Sequence, residues 1–164
     1  MSTDRPRELL RGAALGAAAG LVGVAVMTAG EKVEQALTGR PNSFVPARAL
    51  LTLAGRRPDD RVQPTGWNLA MHWGTGALLG ALRGVWSVTG IRGAVANGSH
   101  TIARLAFDQT VENVTGAGAP PTAWPVSELA VDVLHKTVYA VVTGVTADRL
   151  IRPTLQSLRG RTSH

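Results

Sequence analysis

The chain of 164 residues contains no cysteine. That removes disulfides, thiolate metal sites and cysteine nucleophiles together, and leaves the redox compartment unreadable. Aromatic residues make up 4% of the chain and charged residues 17%, too few for an aromatic-filled globule and fewer than a solvated domain of this size usually carries. Lysine is scarce, so the net charge of +6 rests on fifteen Arg and two Lys. These arginines flank apolar runs at both termini and in the connections. No aromatic-interleaved basic stripe or helix-turn-helix pattern accompanies them, so nucleic acid is not an expected partner. Catalytic signatures are missing too: there is no nucleophile elbow, Walker loop, dinucleotide glycine fingerprint or His-Glu-x-x-His. Gly74-x-Gly76 and Gly90-x-x-Gly93 lie inside apolar segments with no strand before them and read as packing glycines. No catalytic residue is assigned, and an enzymatic role is not the expectation.

What the chain does have is apolar length built from small residues: 45% is hydrophobic, mostly Ala, Val and Leu, with 19 Gly besides. Gly12 to Gly30 runs nineteen residues without a charge, about 28 Å as a helix and close to a hydrocarbon core of about 30 Å. Arg5, Arg7 and Arg11 precede it, so a cleavable signal peptide competes with a membrane span, although the run is longer than a signal usually needs. Trp67 to Ile91 carries one charge, Arg83, which can snorkel near the end of the segment. Gly93 to Val111 and Val126 to Ile151 are more polar and need protein neighbours if they span. The expected fold is all-α: a four-helix transmembrane bundle as a single domain, with spans at about 12–34, 67–89, 93–112 and 126–150. A soluble helical bundle with an Ala/Gly core is the competing reading, because a mean hydropathy of +0.08 is low for a multi-spanning protein.

The first connection, Arg40 to Pro64, is punctuated by four prolines and contains a short helical stretch, Phe44 to Ala54. Its Leu50, Leu51 and Leu53 suit either a helix on the bilayer surface or an ordinary packed loop helix. Gly116 to Pro125 is a stiff turn whose Trp124 suits the headgroup zone. Nine basic residues fall toward one side (Arg5, Arg7, Arg11, Arg83, Arg92, Arg149, Arg152, Arg159, Arg161) and five toward the other (Arg40, Arg48, Arg56, Arg57, Arg61). That bias places both termini in the cytoplasm.

Alternating helix direction brings the ionisable residues of these segments to one end. Glu31 and Glu34 close the first segment and His72 opens the second. Asp108 and Glu112 close the third, and Glu128, Asp132 and His135 open the fourth. Offsets of zero, four and seven put Glu128, Asp132 and His135 on one helical face. Asp132-x-x-His135 also repeats a spacing that bundles use to present an oxygen and an imidazole to a cation. These eight residues form the candidate proton or ligand site. A divalent cation is compatible with it, but no metal or cofactor is required by the sequence. The bland reading is charge neutralisation within helices, through Arg104 with Asp108 and Asp132 with Lys136. Gly76, Gly80 and Gly84 follow His72 at intervals of four, and Gly12, Gly16 and Gly20 form a matching stripe suited to close packing. His100, amid Asn97, Ser99 and Thr101, is expected to hydrogen-bond between helices.

The order of features resembles the YagU-type family of small bacterial inner-membrane proteins. The similar parts are the proline-bearing first connection, Met71-His72-Trp73-Gly74 with Gly76 and Gly80, Pro120-Pro121, and Ser127-Glu128 followed by His135, over roughly Pro41 to Gly144. The resemblance implies a multi-pass inner-membrane protein concerned with pH or envelope stress. Three roles follow as expectations. The first is a proton- or cation-responsive membrane protein in which His72 and His135 exchange protons with Glu128 and Asp132. The second is an accessory subunit that docks a homo-oligomer or larger membrane complex through its Gly-rich faces. The third is a membrane metalloenzyme.

Overall fold

A computed structural model describes residues 4–59 and 61–156. The described residues form helices and no strands: α1 Arg5–Thr38, α2 Val45–Leu53, α3 Thr65–Thr89, α4 Gly93–Val114 and α5 Val126–Leu150, with a single 3-10 turn at Pro121–Ala123. Local chemistry sets the boundaries. Pro6 opens α1 at a position where its missing N–H costs nothing. Gly39 and Gly90 end α1 and α3 in left-handed conformations, at φ 72° and 94°, which close a helix through backbone bonds to the last turn. Pro125 precedes α5 in extended geometry, which stops α5 from continuing backwards into the turn.

The four long helices alternate in direction. Helix α1 packs between α3 and α5, and α4 closes the bundle against α5. The α1–α3 seam is built by the two glycine stripes, which face each other in antiparallel register: Gly12 against Gly84, Gly16 against Gly80 and Gly84, Gly20 against Gly76 and Gly80. A Cβ on Gly16 would stand 2.5 Å from the Gly84 Cα, and one on Gly80 would stand 2.6 Å from the Gly20 Cα. These are backbone contacts that cannot rotate away, so only glycine permits this approach. The stripes are consumed within one chain, and docking a partner through them does not fit this packing. The segment that a signal peptidase would remove is thus the helix on which α3 and α5 rest.

Two of the expected spans, α1 and α5, are long and apolar enough on their own to cross a membrane. Helices α3 and α4 do not meet that measure, and their buried residues include Thr75, Arg83 and Ser87 on α3 and His100, Arg104 and Asp108 on α4. Arg83 corrects the sequence reading. Rather than snorkelling, it is fully buried, and its guanidinium binds Asp148 at 2.9 Å, Ser87 at 2.6 Å and Asn97 at 3.1 Å. Asp148 also accepts from Ser87 Oγ at 2.8 Å and from the Gly93 N–H at 3.0 Å. Arg92 donates to the backbone carbonyls of Asp148 and Ile151, joining α4 to the end of α5. Arg83 therefore leaves the surface charge count, which becomes eight against five in the same sense, with Arg159 and Arg161 outside the described residues.

Helix α2 packs against α3 and α4 through Ala47 and Ala49, and the Ala47 N–H donates to Asn68 Oδ1 at 3.2 Å. Of its leucines, Leu50 and Leu51 are half-buried and Leu53 is 60% exposed. Of the two expectations for this segment, the packed loop helix describes the contacts.

Candidate functional site

Where α1 and α4 end and α3 and α5 begin, the bundle opens into a cavity of about 340 Å³. Helix α2, through Val45 and Pro46, and the Trp124-Pro125 corner form its rim. Seven of the eight sequence candidates line it: Glu31, His72, Asp108, Glu112, Glu128, Asp132 and His135. Glu34 stands just behind the wall, 3.8 Å from His135 Nε2.

The pairings differ from those expected. His135 is 7% exposed and faces Glu34 on α1 rather than Glu128 or Asp132, and its Nε2 has no hydrogen-bond partner. His72 shares a hydrogen bond with Thr28 Oγ1 at 3.0 Å, tying α3 to α1 instead of meeting a carboxylate. Asp132 is held by Lys136 at 2.6 Å. Lys136 also reaches Asp108 at 3.4 Å, and Asp108 binds Arg104 Nε at 2.9 Å. The two intrahelical pairs anticipated from spacing are therefore present, but Lys136 joins them into one bridge between α4 and α5. Glu34 binds Arg40 with a closest contact of 2.7 Å. This bond holds the Arg40 guanidinium even more firmly protonated than usual, against the opposing effect of its partial burial. Arg40 spans toward Glu128 at 3.9 Å.

Three carboxylates remain outside tight ion pairs. Glu31 on α1 and Glu112 on α4 form no side-chain hydrogen bond or salt bridge among the described residues, and Glu128 on α5 has only the long contact to Arg40. Counting Glu34, the cavity and its wall hold six carboxylates against three fixed cations, Arg40, Arg104 and Lys136. The acids are spread out: among the described residues no three or more His, Asp or Glu side chains come together as a ligand set for a metal ion.

Sequence reasoning missed the polar chemistry deeper in the bundle. Tyr139 is buried and donates to the Gly76 carbonyl at 2.7 Å, with the Arg104 guanidinium 4.9 Å from its ring centroid. His100 Nε2 donates to the Leu79 carbonyl at 3.0 Å, the interhelical role expected for it, and its ring lies 5.5 Å from Tyr139. The available signal was periodicity: Asn97, His100, Arg104 and Asp108 recur at three and four residues along α4, opposite Lys136, Tyr139 and Thr143 on α5.

No protein-family model matches the chain, and no curated protein or solved structure matches it.

Proposed function

We propose that this is a multi-pass cytoplasmic-membrane protein whose polar cavity responds to protons or cations. One observation carries the membrane part: large apolar side chains face outward on all four long helices, while ionisable groups are buried beside the small apolar core. Leu21, Val22 and Val26 on α1, Leu78 on α3, Val95 and Ile102 on α4, and Leu134 and Val141 on α5 are exposed, while Arg83, His100, Arg104, Asp108, His135 and Lys136 are buried. In water so many exposed branched residues and buried charges run against what the hydrophobic effect favours. In lipid it is the expected one, because ionisable groups are costly except where they face the bundle interior and one another. The charges of α3 and α4 at Arg83, Arg104 and Asp108 are then no objection to four spans, since these side chains are buried. The arginine bias supports termini in the cytoplasm and a cavity toward the outer leaflet.

The responsive part rests on the surplus of carboxylates and on the imidazoles of His72 and His135. Histidine ordinarily changes charge between about pH 5 and 8. A proton on His135 would meet Glu34 on α1, with Lys136 on its own helix already committed to Asp108 and Asp132 and Arg40 committed to Glu34. A proton on His72 would make Nε2 a donor only in its bond with Thr28 on α1, with Glu31 on α1 and Asp108 on α4 across the cavity. Protonation thus acts on the contacts of α1 with α3 and α5. The resemblance to the YagU-type family supports a role in pH or envelope stress.

The test is resistance of the full-length protein to alkaline extraction from membranes, followed by titration of the imidazoles in a neutral detergent. Release from membranes by alkali would remove the membrane reading. Imidazoles whose titration leaves α1 unperturbed would remove the responsive one.

A further inference from the structure

We propose that a groove at the end of the bundle opposite the cavity holds the headgroup of one anionic phospholipid. This inference rests on the membrane reading, under which that end faces the cytoplasm, and it uses a different part of the molecule from the cavity. The groove, of about 120 Å³, lies between the first turns of α1, the end of α3 and the tail that follows α5. Leu15, Val88, Leu150 and Ile151 form its apolar part, and Arg11 and Arg152 its basic part. Two arginines 141 positions apart in the chain thus line one opening. The tail that carries Arg152 is tied in place: the Leu155 N–H donates to the Val88 carbonyl at 3.0 Å, and Thr154 Oγ1 donates to Glu8 Oε2 at 2.7 Å. The second bond also engages Glu8, the acid of the lining, with the tail itself.

Arg11 and Arg152 are exposed and form no hydrogen bond or ion pair among the described residues. Other arginines at the helix ends are committed, Arg40 to Glu34 and Arg83 and Arg92 to Asp148. Two open guanidiniums offer planar forks of N–H donors, the geometry that phosphate oxygens accept. A free phosphate would need no more than that, but these arginines share their groove with leucine, valine and isoleucine side chains. From the groove toward the bilayer centre, α1 exposes Leu21 and Val22 and α5 exposes Val141 and Val145, a surface for acyl chains. Charge and apolar surface side by side match an amphiphile, and basic residues bordering the cytoplasmic leaflet attract its anionic lipids.

The experiment is native mass spectrometry of the intact protein from neutral detergent, titrated with phosphatidylglycerol or with phosphatidylcholine of the same acyl chains. One phosphatidylglycerol should bind saturably, with phosphatidylcholine at least about tenfold weaker, and about a tenfold excess of inorganic phosphate should not displace it. Arg11→Gln and Arg152→Gln should each weaken phosphatidylglycerol about fivefold, the usual worth of one basic contact at an anionic surface. Arg5→Gln removes the same charge from the same end but lies outside the groove, and it should leave the affinity unchanged. Equal binding of the two lipids, displacement by phosphate, unchanged affinity in both groove variants, or an equal loss in Arg5→Gln would overturn the assignment. The preference between lipids is read on the parent protein, so it decides the matter even if a variant fails to fold. A missing preference in a protein that resists alkaline extraction sinks the lipid site alone, whereas release by alkali sinks the membrane reading beneath it.

Discussion

Arg83 on α3 and Asp148 on α5, sixty-five positions apart in the chain, meet at 2.9 Å with the guanidinium wholly buried. Ser87 touches both partners and Asn97 holds the outer face of the guanidinium, so three helices converge on one ion pair at the end of the bundle opposite the cavity. Taking one member away strands the other charge. Asp148→Ala is therefore expected to destabilise the protein by about 3–5 kcal/mol, and the double variant Arg83→Met, Asp148→Leu should recover most of that loss. Unfolding by denaturant in micelles reads both, and an additive double variant would contradict the pairing.

The α1–α3 seam predicts opposite responses from glycines of similar sequence context. Gly16→Ala places a methyl against the backbone of α3 and should cost about 1–3 kcal/mol as the helices separate. Gly74→Ala meets open space and should be neutral or gain up to about 1 kcal/mol from helix propensity. The two midpoints measured side by side decide it. Equal effects would mean that the stripes do not carry the seam.

His72→Gln with His135→Gln should flatten the pH dependence of intrinsic tryptophan emission between about pH 8 and 5, the interval in which free histidine titrates. Trp124 at the cavity rim contributes to that signal. The two imidazoles meet different partners on α1: protonated His135 is attracted by Glu34, whereas protonated His72 can only donate to Thr28. A parent-like profile in the double variant would remove the histidines from the response.

Orientation is open to a clean labelling experiment, because the chain has no native cysteine. Ala119→Cys, in the turn between α4 and α5, and Arg152→Cys, just beyond α5, should react with an impermeant reagent from opposite sides of the membrane. Only the Ala119 site should label in intact cells. Labelling of both from one side would place the α4 and α5 ends together and abolish the four-span arrangement.

The metalloenzyme expectation has its own check. Because no His/carboxylate set gathers around one point among the described residues, elemental analysis of the purified protein should find less than about a tenth of an equivalent of bound metal, whereas a tight site would survive purification. A stoichiometric ion would reopen that reading.

Periodicity and length in the sequence were enough to determine helices near 12–34, 67–89, 93–112 and 126–150, because the apolar runs exceed strand length and small residues recur every four positions. Alternation of direction then brought Glu31, His72, Asp108 and Glu128 to one end without any knowledge of side-chain contacts. The two glycine stripes were legible for the same reason, since a four-residue period marks one helical face. Partner choice was not legible. Whether His135 faces Glu128 or Glu34, whether Lys136 crosses to Asp108, and whether Arg83 reaches out to solvent or in to Asp148 depend on helix rotation and on separations of an ångström or two. For α1 and α3 the separation is set by how closely Gly16 and Gly80 let the backbones approach, a property of two helices packed together that neither segment carries alone.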